Sequence, residues 1–180
     1  MGGCRTGIAR RGAAGDITVE VTDRQRMLRS SRRGLERLGR RALVAEGVAR
    51  AEIGVVLVDD RRIAALHERW LGVPGPTDVI TFDLAAGHGR AGGQTVVGEI
   101  VVSTETARAA ARLVGWTPRR EVAYLIVHGV LHLTGHDDRT PADRRAMRAR
   151  ERAVMRACGL PRPPRRAAVA GRAPRTTRRP

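Results

Sequence analysis

The chain contains no lysine, so all 34 of its basic residues are arginine. A bias that uniform follows the base composition of the coding sequence, and arginine identity alone therefore marks no binding patch. Aromatics are almost as scarce, with two Trp, one Tyr and one Phe, which leaves few platforms for stacking unpaired bases. Trp70 and Phe82 flank the 74–78 segment, where either could meet a base. Lone aromatics beside apolar runs more often pack inward, and the same core reading applies to Trp116 and Tyr124. Only two cysteines are present, Cys4 near the start and Cys158 near a helix end. They are too few and too peripheral for a disulfide framework, and both are expected as free thiols. Apolar runs are broken by Arg, Asp or His well short of the roughly eighteen residues a membrane span needs. The first residues also lack the apolar core of a secretory signal, which makes the cytoplasm the expected compartment.

What remains is a soluble, single-domain composition: 180 residues, 42% of them apolar. The formal net charge of +16 is concentrated at the ends, since residues 161–180 hold seven Arg and residues 1–15 three, neither with an acid. Such ends are usually solvated. The expected organisation is a disordered basic leader over 1–15, a folded domain over 16–160 and a disordered Arg/Pro-rich tail over 161–180. A flexible tail of that kind adds salt-dependent affinity for phosphate.

Within the domain, strand and helix patterns alternate. Residues 17–22 alternate like a half-buried strand, and 24–46 place Met27, Leu28, Leu35, Leu38 and Ala42 at helical spacing. Further strands are read at 53–58, 79–83 and 96–102. A helix capped by Asp59 or Asp60 runs to about Arg69 and stops at the Gly- and Pro-rich 72–76 loop. The 85–94 segment, rich in Gly and holding His88, reads as a loop, with His88 a bystander. Ser103 caps a helix ending at Gly115; Thr117 and Pro118 open another; Thr140 and Pro141 open the last, through about Ala157. These elements predict an α/β (α+β) fold, a small mixed sheet of about four strands packed with about five helices, with the fourth helix lying across the mouth of a cleft.

That fourth helix carries the chemistry. His128 and His132 are four apart, so on a helix both imidazoles share one face and converge on one ion. Gly135 then lets the chain turn back through a left-handed conformation, bringing His136 or Asp138 toward the same point. Two imidazoles and one further donor with an open position is the pattern of catalytic zinc. Asp138 sits where the turn wants a third ligand, while His136 is the intrinsically better zinc donor but lies only one residue past the glycine. Buried imidazoles need partners for their other ring nitrogens, and Glu99 and Asp137 are candidates.

The run VHGVLHLTGHDD (residues 127–138) resembles the HGxLHLxGxDH signature of the bacterial YbeY family. Upstream, PTDVITF (76–82) resembles that family's PTDVLSF stretch, and GEIVVS (98–103) its GDIVIS strand, so the similarity spans about residues 52–157 in order. The resemblance implies a metal-dependent, single-strand-specific endoribonuclease acting in ribosomal RNA maturation, at the 3′ end of the small-subunit RNA, and in ribosome quality control. It implies one Zn(II) ion per chain held by His128, His132 and Asp138, with His136 the alternative third ligand. It implies a ribosomal RNA precursor as substrate, small-subunit ribosomal proteins as further candidate partners and no membrane; it says nothing of oligomeric state. Two departures stand out. Asp138 occupies the place of the family's third His, which adds an anion and makes the metal a weaker Lewis acid. Leu71 stands where many members have an Arg thought to act in the site, and Arg69, two residues away, is the candidate to replace it.

Two rival functions follow from the same residues. A zinc peptidase of the HExxH type needs a general base after the first His, and here that position is Gly129. A zinc-bearing ribosome assembly factor that binds without cutting is kept open by Leu71.

Overall fold

β1 (Ile17–Asp23) buries every second residue, Ile17, Val19 and Val21, as a strand with one face on a core must. In the computed structural model, which describes residues 16–85, 95–164 and the backbone of 176–178, it pairs in parallel with β2 (Arg50–Val58). β2 pairs in parallel with β4 (Thr95–Ser103), which pairs antiparallel with β3 (Val79–Asp83). β3 in turn pairs in parallel with β5 (Thr176–Arg178), giving a mixed sheet of order β1-β2-β4-β3-β5. Among the described residues five helices accompany it: α1 (Arg32–Ala45), α2 (Asp60–Leu71), α3 (Thr104–Leu113), α4 (Pro118–Leu133) and α5 (Pro141–Ala157). The α/β class, the mixed sheet and the five helices are as expected. The fifth strand is an addition, drawn from three residues of the segment expected to lie without structure. The 1–15 leader with Cys4, His88 and the tail residues 165–175 and 179–180 lie outside the described residues.

Strand alternation sorts the helices onto two faces. Val19, Val21, Ile53, Val55, Leu57, Val79, Ile100 and Val102 share one core cluster with residues of α1, α3, α4 and α5. Val58, Ile80, Phe82 and Val101 point the other way and pack with Ile63, Leu66, Trp70 and Leu71 of α2. Phe82 is buried and meets Trp70 edge-on at 6.0 Å between ring centroids. Trp116 and Tyr124 make a similar contact at 6.1 Å. All four aromatics therefore pack, as the core reading holds.

α4 is the central element, with every residue from Glu121 to Leu133 buried. It lies so close to the sheet that two glycines are required. A Cβ at Gly129 would stand 2.7 Å from Ile100 Cγ2, and one at Gly98 would stand 2.8 Å from the Phe82 carbonyl oxygen.

The largest boundary difference from the sequence reading is at the start of α1; β2 also begins three residues earlier, at Arg50, and α3 ends at Leu113. The periodic residues Met27 and Leu28 precede the helix, which begins at Arg32 with Ser31 as its cap. The reason is Gln25, whose side-chain oxygen accepts from Met27 N and Leu28 N at 2.7 Å while its amide nitrogen donates to Leu28 O and Asp23 Oδ1. These bonds satisfy backbone groups that a first helical turn would otherwise serve.

Candidate metal centre

α4 begins where the sequence predicts. Thr117 accepts from Arg120 N, Pro118 occupies the first turn, and the helix closes at Thr134 before Gly135, at φ 99°. Its apolar circumference buries His128 and His132, and their ring centroids lie 4.6 Å apart. The 134–140 turn then returns Asp138. Asp137 Oδ1 accepts from Asp138 N at 2.7 Å and from Arg139 N at 3.3 Å, and Arg144 donates to the carbonyls of Asp138 and Arg139. α5 starts on a reciprocal Thr140–Asp143 cap and packs Glu151 against α4.

One ligand atom each from His128, His132 and Asp138 lies within 4.8 Å of the others, so these three residues could hold a metal ion. The ring partners fix the tautomers. His128 Nδ1 faces Glu151 Oε1 at 2.8 Å, and His132 Nδ1 faces the His136 carbonyl at 3.0 Å. Both partners accept, so in the neutral rings both Nδ1 atoms carry hydrogen and both Nε2 atoms present lone pairs. The two Nε2 atoms nevertheless lie 3.0 Å apart, with Asp138 Oδ2 4.0 Å from that of His128. Acceptors converging on one point repel one another unless a shared proton or a metal cation lies among them. Two nitrogens bound tetrahedrally at zinc distances would be about 3.3 Å apart, close to the separation seen. The donor set therefore fits a metal ion of borderline softness.

Exposure rises from 1% for the His128 side chain to 15% for Asp138, which marks the carboxylate as the side open to solvent. Next to it, Asp137 is held below the usual carboxylate range. Burial raises its pKa, but the Arg139 side chain at 2.5 Å and the backbone bonds from Asp138 and Arg139 outweigh that effect.

The remaining candidates fall elsewhere. The His136 ring turns from the pair to bond Glu46 Oε2 at 2.8 Å. Arg69 belongs to α2, on the sheet face opposite α4, and its guanidinium lies 5.4 Å from the centroid of the Trp70 ring. Leu71 packs against the same α2 cluster, so that position is structural in this chain. Neither carboxylate expected beside the imidazoles serves them. Asp137 is engaged by Arg139 and its own turn. Glu99 stands one residue from both Gly98 and Ile100, which face α4, so alternation sends it to the other side of the sheet.

The actual partner, Glu151, was missed, although the sequence carries a signal for it. It lies at i+4 from Met147 and i−4 from Met155, both fully buried, so it is an acid within the apolar stripe of an otherwise Arg-rich helix. Such a residue has to meet a donor. Tyr124 supplies a second one, its hydroxyl donating to Glu151 Oε1 at 2.8 Å.

The Endoribonuclease YbeY family profile matches residues 16–159. A protein named Endoribonuclease YbeY from Pelotomaculum thermopropionicum is 40% identical over 124 residues, which cover 67% of this chain and 82% of that protein. One of the same name from Moorella thermoacetica is 40% identical over 133 residues, covering 70% and 85% respectively. Another, from an Anaeromyxobacter species, is 38% identical over 144 residues, covering 80% and 73%.

Proposed function

The chain belongs to the Endoribonuclease YbeY family, and from that membership and the converging His128, His132 and Asp138 we propose a metal-dependent, single-strand-specific endoribonuclease. Its substrate is a ribosomal RNA precursor, cut near the 3′ end of the small-subunit RNA, and its wider role is ribosome maturation and quality control in the cytoplasm, beside small-subunit ribosomal proteins. No described helix is long and apolar enough to cross a membrane.

The observation that carries this reading is the convergence of three lone-pair donors whose outer hydrogen bonds leave them facing one point. One Zn(II) ion per chain suits that set, with His128, His132 and Asp138 as ligands and a fourth position open. Zinc so held supplies Lewis acidity toward a phosphate oxygen and acidifies water. The protein holds the donors in register: Glu151 fixes the His128 ring, the His136 carbonyl fixes that of His132, and Arg144 anchors the turn bearing Asp138. With Arg69 packed on the opposite sheet face and Arg144 bonded to the carbonyls of the turn, Arg139, paired with Asp137, is the arginine of that turn left to offset the charge of a substrate phosphate. Arg139 is suited to this because its side chain is 67% exposed.

A peptidase is disfavoured by packing as well as by chemistry. Position 129 faces the sheet at a distance only glycine tolerates, so no general base can stand there. The test is cleavage of a small-subunit 3′-end precursor RNA by the parent protein and by His132→Ala, purified side by side, with metal content measured in both. Cleavage by the parent alone supports the nuclease. Equal or absent cleavage with both proteins folded overturns it in favour of a zinc-bearing assembly factor that binds without cutting.

A further inference from the structure

Glu46 caps the C-terminus of α1, with a side chain only 5% exposed. Arg150 Nε donates to its Oε1 at 2.6 Å, while the His136 ring at 2.8 Å and the Thr134 hydroxyl at 3.4 Å meet its Oε2. Arg150 also donates to the Ala45 carbonyl, which ties α5 to the same helix end. A buried carboxylate has thus been placed against the one residue of the metal turn that could rival Asp138 as a ligand.

His136 is held twice, in separable ways. Its backbone N–H donates to Leu131 O at 3.0 Å and its carbonyl accepts from His132 Nδ1, while its ring is held through Glu46. Loss of Glu46 would therefore free the ring and leave the backbone that orients His132 in place. A freed imidazole two residues from Asp138 is a better donor to zinc than a carboxylate.

We propose that Glu46 is a positioning residue that selects the third metal ligand, holding His136 aside so that Asp138 binds. This rests on the metal reading above. Its consequence is a site with two nitrogens and one oxygen in place of three nitrogens.

The test uses Co(II), whose visible absorption reports its ligands. The full-length parent, Glu46→Ala and Glu46→Ala/His136→Ala are loaded with Co(II) after circular dichroism has checked folding. The single variant is expected to shift the bands to shorter wavelength, as a stronger-field nitrogen replaces the carboxylate oxygen. The double variant is expected to return the bands to the parent position. Bands unmoved in the single variant overturn the proposal, as does a shift that persists in the double variant, which would leave Glu46 a purely structural role. Glu46→Leu, similar in volume but without an acceptor, carries the same expectations if alanine fails to fold. A folded parent that gives no Co(II) bands defeats the metal reading itself, an outcome distinct from both.

Discussion

Glu151 and His128 meet across 23 residues of sequence at 2.8 Å, a carboxylate oxygen on Nδ1 of a ring that is almost wholly buried. The same oxygen accepts from Tyr124, one turn earlier on α4, so a single α5 carboxylate holds two side chains of that helix. Carboxylates behind a ligating imidazole raise its basicity and fix its orientation, and losing one typically costs about 10–100-fold in metal affinity. Glu151→Gln keeps the volume and removes the charge, and it is expected to fall in that range when Zn(II) affinity is measured by chelator competition. An unchanged affinity would remove Glu151 from the support of the site.

Asp138→Ala and His136→Ala discriminate the third ligand. Removing Asp138 deletes a donor and is expected to weaken Zn(II) by about 100-fold or more, whereas removing the His136 ring, which bonds Glu46, is expected to cost less than about tenfold. The reverse order in the same competition assay would reassign the ligand to His136.

Gly98→Ala tests the close approach of α4 to the sheet. Its new Cβ would meet Leu133 Cδ2 at 2.7 Å and the Phe82 carbonyl oxygen at 2.8 Å. Leu133 can rotate away, but the carbonyl belongs to a paired strand and cannot. A loss of about 1–3 kcal/mol is expected in urea unfolding. Gly129→Ala would meet the β-branched methyl of buried Ile100 at 2.7 Å and that of Thr81 at 3.1 Å, and is expected to lose a similar amount.

Cys158 carries a pH dependence. Burial pushes its thiol above the ordinary range, against a smaller opposing pull from Arg41. The folded state thus favours the neutral thiol, and that preference is fully present below the unfolded pKa and is lost as pH rises through the folded one. Between pH 7 and 10, Cys158→Ala should lose less of its stability than the parent does, as read from urea midpoints. Parallel pH profiles would contradict the assignment.

Local signals in the sequence are enough to place most of the fold. Caps at Asp59, Ser103, Thr117 and Thr140 start helices where expected, because a cap acts within three residues of itself. His128, His132 and Asp138 were legible for the same reason, since ten residues and one glycine settle their geometry. What escaped was long-range or depended on a single side chain. Gln25 displaced the start of α1 through bonds that no periodicity encodes. Glu151 and Glu46 reach the site from 23 and 90 residues away, and only the packing of α1 and α5 on α4 brings them there. Asp137 and Glu99 looked equally able to serve, but one is consumed by its own turn and the other is turned away by strand alternation.

The burial of α4 also bears on how a metal would leave. Two of the proposed ligands sit on a helix whose amides should exchange with solvent only when the whole domain opens, while the third sits on a partly exposed turn. Release of a metal held by these three residues would then begin at Asp138, without global unfolding. The half-life of the loaded state should follow protection of the amides in the 134–140 turn rather than those of the helix, which makes metal retention and fold stability independently adjustable.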